Sequence, residues 1–262
     1  MAKIHPTAIV DPAAVLAEDV EIGPFVVIQG EVQLASGCVV GPFCRLEGPT
    51  VIAENNRFTS HCSIGASPQD LSYRGEATRL EIGPGNWFRE FVTVHRGTVK
   101  GGGVTRIGGY GLFMVGAHVA HDCQVGSRVI FANGGTLAGH VEVGDYATIG
   151  AFSAVHQFCR VGAYAFLGGF TVATKDCLPF MRTVGGRPAR CFGPNTVGLE
   201  RKGFSAERRA VLKRAWRLLH NPKLTTTEAL ELIVNELGGH GDVAYLVDFI
   251  RTSQRGVILA RG

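Results

Sequence analysis

The chain has 262 residues, 45% of them apolar and 18% charged, with a formal net charge of +4. That balance describes an ordinary soluble globular protein long enough to bury a large core. It excludes a membrane-spanning chain, since no run approaches the roughly 18 apolar residues that a span needs. The start Met-Ala-Lys-Ile leads straight into a repeat, so a cytoplasmic protein is expected.

From Ile4 to Ile64 every sixth residue is apolar, through Val10, Leu16, Ile22, Ile28, Leu34, Val40, Leu46, Ile52 and Phe58. Six is neither a helix period nor strand alternation. It calls for a solenoid whose flat faces each take one hexad, three hexads making one triangular coil. After Ile64, Asp70 and Glu76 hold hexad places, so a polar loop leaves the prism near 65–81 before Ile82, Phe88 and Val94 resume the stride. A second excursion, 95–106, shifts the register, because Val94 and Ile107 are thirteen apart. The stride then runs unbroken from Ile107 to Ala173, and the three blocks hold twenty-six hexads, between eight and nine coils. Many of the 36 glycines directly follow a hexad residue, among them Gly41, Gly126 and Gly144, and are expected to supply the backbone angles of sharp corners. Cys38, Cys44, Cys62, Cys123 and Cys159 fall four places after a hexad residue, where a small inward side chain is wanted. They read as buried free thiols, not as disulfides or metal ligands.

Beyond about Pro179 the period disappears, and Pro188 to Pro194 reads as a linker dividing a repeat domain, 1–187, from a C-terminal domain, 188–262. Helical spacing follows at Val211, Ala215, Leu218 and Leu219, at Leu230, Leu232, Ile233 and Leu237, and at Val243, Leu246, Val247 and Ile250. Thr225 with Glu228 makes a capping box, and three or four short helices are expected to cover the open end of the solenoid. From Arg201 to His220, seven basic residues (Arg201, Lys202, Arg208, Arg209, Lys213, Arg214 and Arg217) stand against one acid, Glu207. The cluster reads equally as a solvated face or as a docking surface for an anionic partner. Nucleic acid is not expected, because no recognition motif or ladder of stacking aromatics accompanies the charge.

Residues eighteen apart occupy one angular position on successive coils, about 4.8 Å apart. His121, Gly139 and Gln157 therefore stack; Asp122 and His140 share the next position, Ala138 and His156 the one before, and His118 is close by. This convergence points to general-base chemistry, in which an imidazole titrating near neutral pH takes a proton, worth roughly 10² to 10⁴ in rate. A neighbouring carboxylate holds the ring in one tautomer. Gly139, without a side chain, is positioned to bring its N–H to a reacting carbonyl. No serine stands at this edge as a nucleophile, and the nearby Cys123 has an inward phase, so direct attack by a substrate hydroxyl or amine is expected instead of an acyl-enzyme.

The segments Gly-Ala-His-Val-Ala-His-Asp-Cys (116–123), Leu-Ala-Gly-His (137–140), Val-His-Gln-Phe-Cys (155–159), Val-His-Arg-Gly-Thr (94–98) and Pro-Gln-Asp-Leu (68–71) closely resemble the hexapeptide-repeat UDP-N-acetylglucosamine O-acyltransferases of lipid A biosynthesis. So does the basic tail Leu-Glu-Arg-Lys-Gly-Phe-Ser (199–205). The resemblance implies a mainly β protein: a left-handed parallel β-helix in the form of a triangular prism, with a C-terminal α-helical domain, assembled as a homotrimer with active sites between neighbouring prisms. It implies transfer of an (R)-3-hydroxyacyl chain from acyl carrier protein to the 3-hydroxyl of UDP-N-acetylglucosamine, the first step of lipid A biosynthesis. No metal and no cofactor are implied beyond the carrier's own phosphopantetheine arm. By the same resemblance His121 is the general base, Asp122 its orienting partner and Gly139 the oxyanion donor. Gln69, Asp70, His95, His118, His140, His156 and Gln157 line the sugar and acyl cleft, and Asn195 and Arg201 bind the nucleotide end of the sugar. The basic helix meets the acidic carrier. Gly169 limits acyl length, with Phe166 and Phe170 unusually bulky beside it. Ser72 departs from the family pattern, where a lysine commonly follows Gln-Asp-Leu, and Lys202 stands in place of an arginine, without its bidentate geometry.

Four other readings compete. The same transfer to a 3-amino UDP-sugar uses the same base. A related N-acyltransferase carries a separate N-terminal domain, whereas this repeat begins at Ile4. A metal hydratase like the γ-carbonic anhydrases needs three histidine ligands, and here His118 and His121 lack a third at convincing spacing. A non-catalytic scaffold explains the hexads but not the clustered histidines.

Overall fold

The structure, a computed structural model, describes residues 2–259. Each hexad forms one short strand, from Lys3–Ile4 to Val172–Ala173, and the strands fall in turn on three parallel sheets, the faces of a triangular prism. Every hexad residue from Ile22 onward points inward and is buried. On the first face Phe58, Phe88, Phe113 and Phe131 stack ring on ring through the core at 4.9, 4.7 and 4.9 Å, close to the spacing of the strands that carry them. Both excursions leave this core intact, since Ile64 pairs with Val94 and Val94 with Val119 across the loops.

The corners differ from the sequence expectation. Gly41, Gly126 and Gly144 do not adopt left-handed angles; their hydrogens face the backbone of the next coil, where a Cβ at any of them would collide. The left-handed positions are held mostly by larger residues, among them Phe43 (φ 58°), Asp122 (φ 62°), His140 (φ 62°), Tyr146 (φ 60°) and Phe158 (φ 63°). Such angles cost about 1–2 kcal/mol each for a residue with a Cβ. Stacking along the edges offsets part of this, as in Phe25 on Phe43 and Tyr146 on Tyr164 (5.1 and 4.7 Å between centroids), at about 0.5–1.5 kcal/mol per pair.

The segment expected as a linker is largely a strand. Arg190–Pro194 pairs antiparallel with Met181–Val184, which itself extends the first sheet by one rung past the hexads. Ladder hydrogen bonds need no six-residue side-chain period, so the sequence pattern passes over both strands. Four helices follow: α1 (Thr196–Arg201), α2 (Ala206–Leu219), α3 (Thr226–Leu237) and α4 (Gly241–Arg251). Ser205 caps α2, and Thr225 and Glu228 form the expected capping box on α3. Ala215, Leu219, Ile233 and Leu246 pack on Leu178, Met181 and Cys191 of the last coil, covering that end of the prism. All seven cysteines are buried free thiols.

The basic cluster is partly neutralised within the helices. Arg208 binds Asp242 through two bonds (2.8 and 2.9 Å), Arg214 binds Glu236 (2.6 Å) and Arg209 binds Glu200 (3.0 Å). Lys202 lies over the Tyr146 ring. Arg201, Lys213 and Arg217 are exposed and have no ion-pair partner among the described residues.

Candidate active site

The edge between the second and third faces gathers His95, at the end of the strand Thr93–His95, with His121, Asp122, Gly139, His140, His156 and Gln157 from the turns that join successive strands. The first excursion, with Gln69 and Asp70, and the second, with Thr98, leave the prism at the same edge. At its centre His121 Nδ1 lies 2.7 Å from Asp122 Oδ2. A carboxylate only accepts, so Nδ1 carries the proton and Nε2 is left as an acceptor. Asp122 is fully buried in its side chain and also accepts from the Thr98 N–H and the Thr98 hydroxyl, both at 2.7 Å. Burial works to raise its carboxyl, but the bonds from His121 and Thr98 together outweigh it and hold the group below its ordinary value. Its backbone takes the left-handed corner that aspartate tolerates and donates its N–H to Thr105 Oγ1. Thr98 thus fixes the carboxylate and Thr105 the backbone that carries it, and sequence reasoning did not single out either as a site residue. The signal for Thr98 was its place in the Val-His-Arg-Gly-Thr segment.

Gly139 sits one coil on. A Cβ there would lie 2.8 Å from His121 Nε2 and 2.5 Å from Cε1, so the imidazole rests directly over the glycine backbone. Among the described residues the Gly139 N–H makes no hydrogen bond. His140 meets His121 edge-on (5.2 Å between centroids), stands 3.5 Å from Asp122 Oδ2 and stacks on Phe158. Its burial lowers its basicity, with Asp122 opposing.

His95 and His118 form a second pair, rings 5.4 Å apart. His95 donates from Nδ1 to the Ser67 carbonyl (2.6 Å), and His118 Nδ1 bonds the Thr93 hydroxyl (2.7 Å). Burial, reinforced by His95 and His121, pushes His118 down to about 4, so it is neutral at physiological pH. His156 is exposed, with the Arg255 guanidinium 3.2 Å from Nδ1. Gln69 and Gln157 are exposed, and Asp70 accepts the Ser72 N–H at 2.7 Å.

Other expected site residues lie elsewhere on the chain. Gly169 and the exposed Phe170 turn the edge between the first and second faces, where Phe170 stacks on Phe152. A Cβ on Gly169 would meet only the Ala151 carbonyl, at 3.4 Å, and Phe166 is half-buried on the first face. Asn195 spends its amide on capping α1 and on the Tyr164 carbonyl, and Arg201 ends that helix. The chain by itself therefore does not bring these residues to the His121 edge.

His121, Asp122 and His140 hold three potential ligand atoms within 4.8 Å of one another. The Asp122 carboxylate already accepts from three donors, one of them the Nδ1–H of His121. The arrangement fits an oriented base better than a metal centre. No helix among the described residues is long and apolar enough to cross a membrane.

A family model described as UDP N-acetylglucosamine O-acyltransferase, domain 2, matches residues 176–258. The acyl-[acyl-carrier-protein]–UDP-N-acetylglucosamine O-acyltransferase of Thiobacillus denitrificans is 49% identical over 98% of this chain and 100% of its own length, and that of Halorhodospira halophila 48% over 98% and 100%. Among solved structures, LpxA from Acinetobacter baumannii superposes with a TM-score of 0.94 at 40% identity, covering 97% of this chain and 99% of its own. The UDP-N-acetylglucosamine acyltransferase of Francisella novicida superposes at 0.95 and 35%, covering 99% and 95%.

Proposed function

We propose that this chain, which belongs to the acyl-[acyl-carrier-protein]–UDP-N-acetylglucosamine O-acyltransferase family, uses His121 as general base, oriented by Asp122. His121 Nε2 takes the proton of the sugar 3-hydroxyl as its oxygen attacks the thioester carbonyl of the (R)-3-hydroxyacyl chain on the carrier's phosphopantetheine arm. The C–O bond forms, the carbonyl π electrons move to oxygen, and the Gly139 N–H receives that oxyanion. Collapse breaks the C–S bond, and the thiolate leaves with the proton held on His121. Asp122 stabilises the transient imidazolium through Nδ1.

The observation that carries this reading is the 2.7 Å bond from His121 to a buried carboxylate, which leaves Nε2 open above an unpaired backbone N–H. His95, His118, His140, His156, Gln157, Gln69 and Asp70 then surround the acceptor and the thioester. Gly169, Phe166, Phe170, Asn195 and Arg201 reach such a cleft only from a neighbouring copy, which supports a homotrimer with shared sites. The unpaired Arg201, Lys213 and Arg217 suit an acidic carrier protein.

His121→Ala is expected to fold and assemble as the parent does and to lose roughly 10² to 10⁴ in kcat. Turnover like that of the wild type, or one tightly held zinc per subunit that activity requires, would overturn the base assignment.

A further inference from the structure

Several hydrogen bonds join the two excursions, and one of them is made by a lysine that the mechanism above does not use. Lys100, in the 3-10 turn Val99–Gly101, reaches across to the first excursion and donates from Nζ to Ser72 Oγ at 2.8 Å. Its backbone is held rigidly. Thr98 caps the turn while both its N–H and its hydroxyl bind Asp122, and Gly101 lies so close to the Asp122 carboxylate that no side chain would fit there. The ammonium is therefore mounted two residues from a bond that orients the dyad.

The other charges of this rim set its purpose. Asp70, Glu76 and Asp122 contribute carboxylates. The Ser72 N–H and hydroxyl hold the Asp70 carboxyl low, with smaller help from Lys100 and His121, which puts all three groups in one electrostatic neighbourhood. Two other cations nearby are already engaged. Arg96 donates to the Gly65 carbonyl and to the hydroxyls of Ser67 and Tyr73, and Arg74 to the carbonyls of Leu71 and Tyr73. Lys100 is exposed, and among the described residues its only hydrogen-bond partner is a neutral hydroxyl. The ammonium can donate three bonds, so two remain for a ligand beside the edge that carries His121.

We propose that Lys100 is a phosphate-binding residue of this cleft, holding a phosphate ester of one substrate beside the His121–Asp122 pair. It rests on the acyl-transfer reading above, in which the nucleotide sugar brings a diphosphate and the carrier's arm a phosphodiester. The contact also gives a reason for serine at 72: a lysine there would put a second ammonium where Lys100 already stands, so the cation comes from the opposite loop.

Charge and latch separate by two variants. Lys100→Gln keeps an amide donor for Ser72 but removes the charge, whereas Ser72→Ala removes the latch and keeps the charge. Steady-state kinetics with each substrate varied in turn should show KM rising about tenfold in Lys100→Gln, as expected for loss of a charge-assisted bond, with kcat within about twofold. The substrate whose KM rises identifies the phosphate, and the effect should shrink as salt screens the wild type. Adding Ser72→Lys to Lys100→Gln should restore the KM. Unchanged KM for both substrates in Lys100→Gln, or a larger defect in Ser72→Ala than in Lys100→Gln, would overturn the proposal. Wild-type enzyme in the same assay tests the underlying reading separately, because no turnover there would remove acyl transfer itself.

Discussion

Replacing Gly139 by alanine tests the proposed mechanism through a single methyl group. The new Cβ would stand 2.5 Å from His121 Cε1, 2.8 Å from Nε2 and 3.1 Å from Nδ1. Carbon contacts relax at about 3.5–4.0 Å, so the imidazole must retreat by roughly 1 Å. The ring is the end of a side chain and can move, and Gly139 has no left-handed φ, so the backbone accepts alanine. Stability should change by less than about 1 kcal/mol. Catalysis should not survive so well. A displacement of about 1 Å costs on the order of 10² in rate, or about 2.7 kcal/mol of barrier, because Nε2 leaves the acceptor hydroxyl and the 2.7 Å bond to Asp122 is broken or bent. The assay is kcat by single-turnover transfer, with thermal unfolding of the same preparation as the folding control. A double-mutant cycle sharpens it. If the methyl acts only by displacing His121, Gly139→Ala should add almost nothing in a His121→Ala background. A Gly139→Ala enzyme with near-wild-type kcat, or full additivity in the cycle, would refute the argument.

Two further predictions concern pH and acyl length. His118 is pushed down to about 4 in the folded chain, mainly by burial, whereas unfolded it titrates near its ordinary 6.5. The unfolded state therefore binds the extra proton first. This contribution is fully present above about pH 6.5 and is lost as pH falls toward about 4, amounting to on the order of 3 kcal/mol. Urea unfolding at about pH 7 and about pH 4.5 should show a smaller acid loss for His118→Gln than for wild type, and an identical loss would exclude this source. A Cβ at Gly169 would make only a van der Waals contact with the Ala151 carbonyl, so Gly169→Met should fold normally and shift preference toward shorter hydroxyacyl carriers. Competition between carriers, read by mass spectrometry of the product, checks it; unchanged selectivity would remove Gly169 from the acyl path.

Much of the fold was legible because a solenoid converts sequence spacing directly into position. The hexad places that read as inward, such as Phe88 and Leu137, are buried, and the eighteen-residue count that stacked His121 on Gly139 agrees with ladders pairing His118 with Thr136 and Thr136 with Ala154. The helix signals at Val243, Leu246 and Ile250 and the capping box at Thr225 were legible for the same local reason. Less was visible where hydrogen bonding, not side-chain period, decides structure. Arg190–Pro194 looked like a linker but closes the first sheet, and the glycines expected to bend the corners instead let coils approach each other.

The sequence alone therefore determined the prism, its three faces and the edge on which the histidines stand, since a repeat of fixed length maps number onto geometry. Only the tertiary structure decided what that edge can do. Asp122 is held by Thr98 from a loop outside the repeat, the bond from His121 fixes which nitrogen is basic, and Lys100 meets Ser72 across two excursions whose lengths follow no period. Contacts between segments that leave the lattice are set by how the chain returns to it, and spacing along the sequence carries no record of that path.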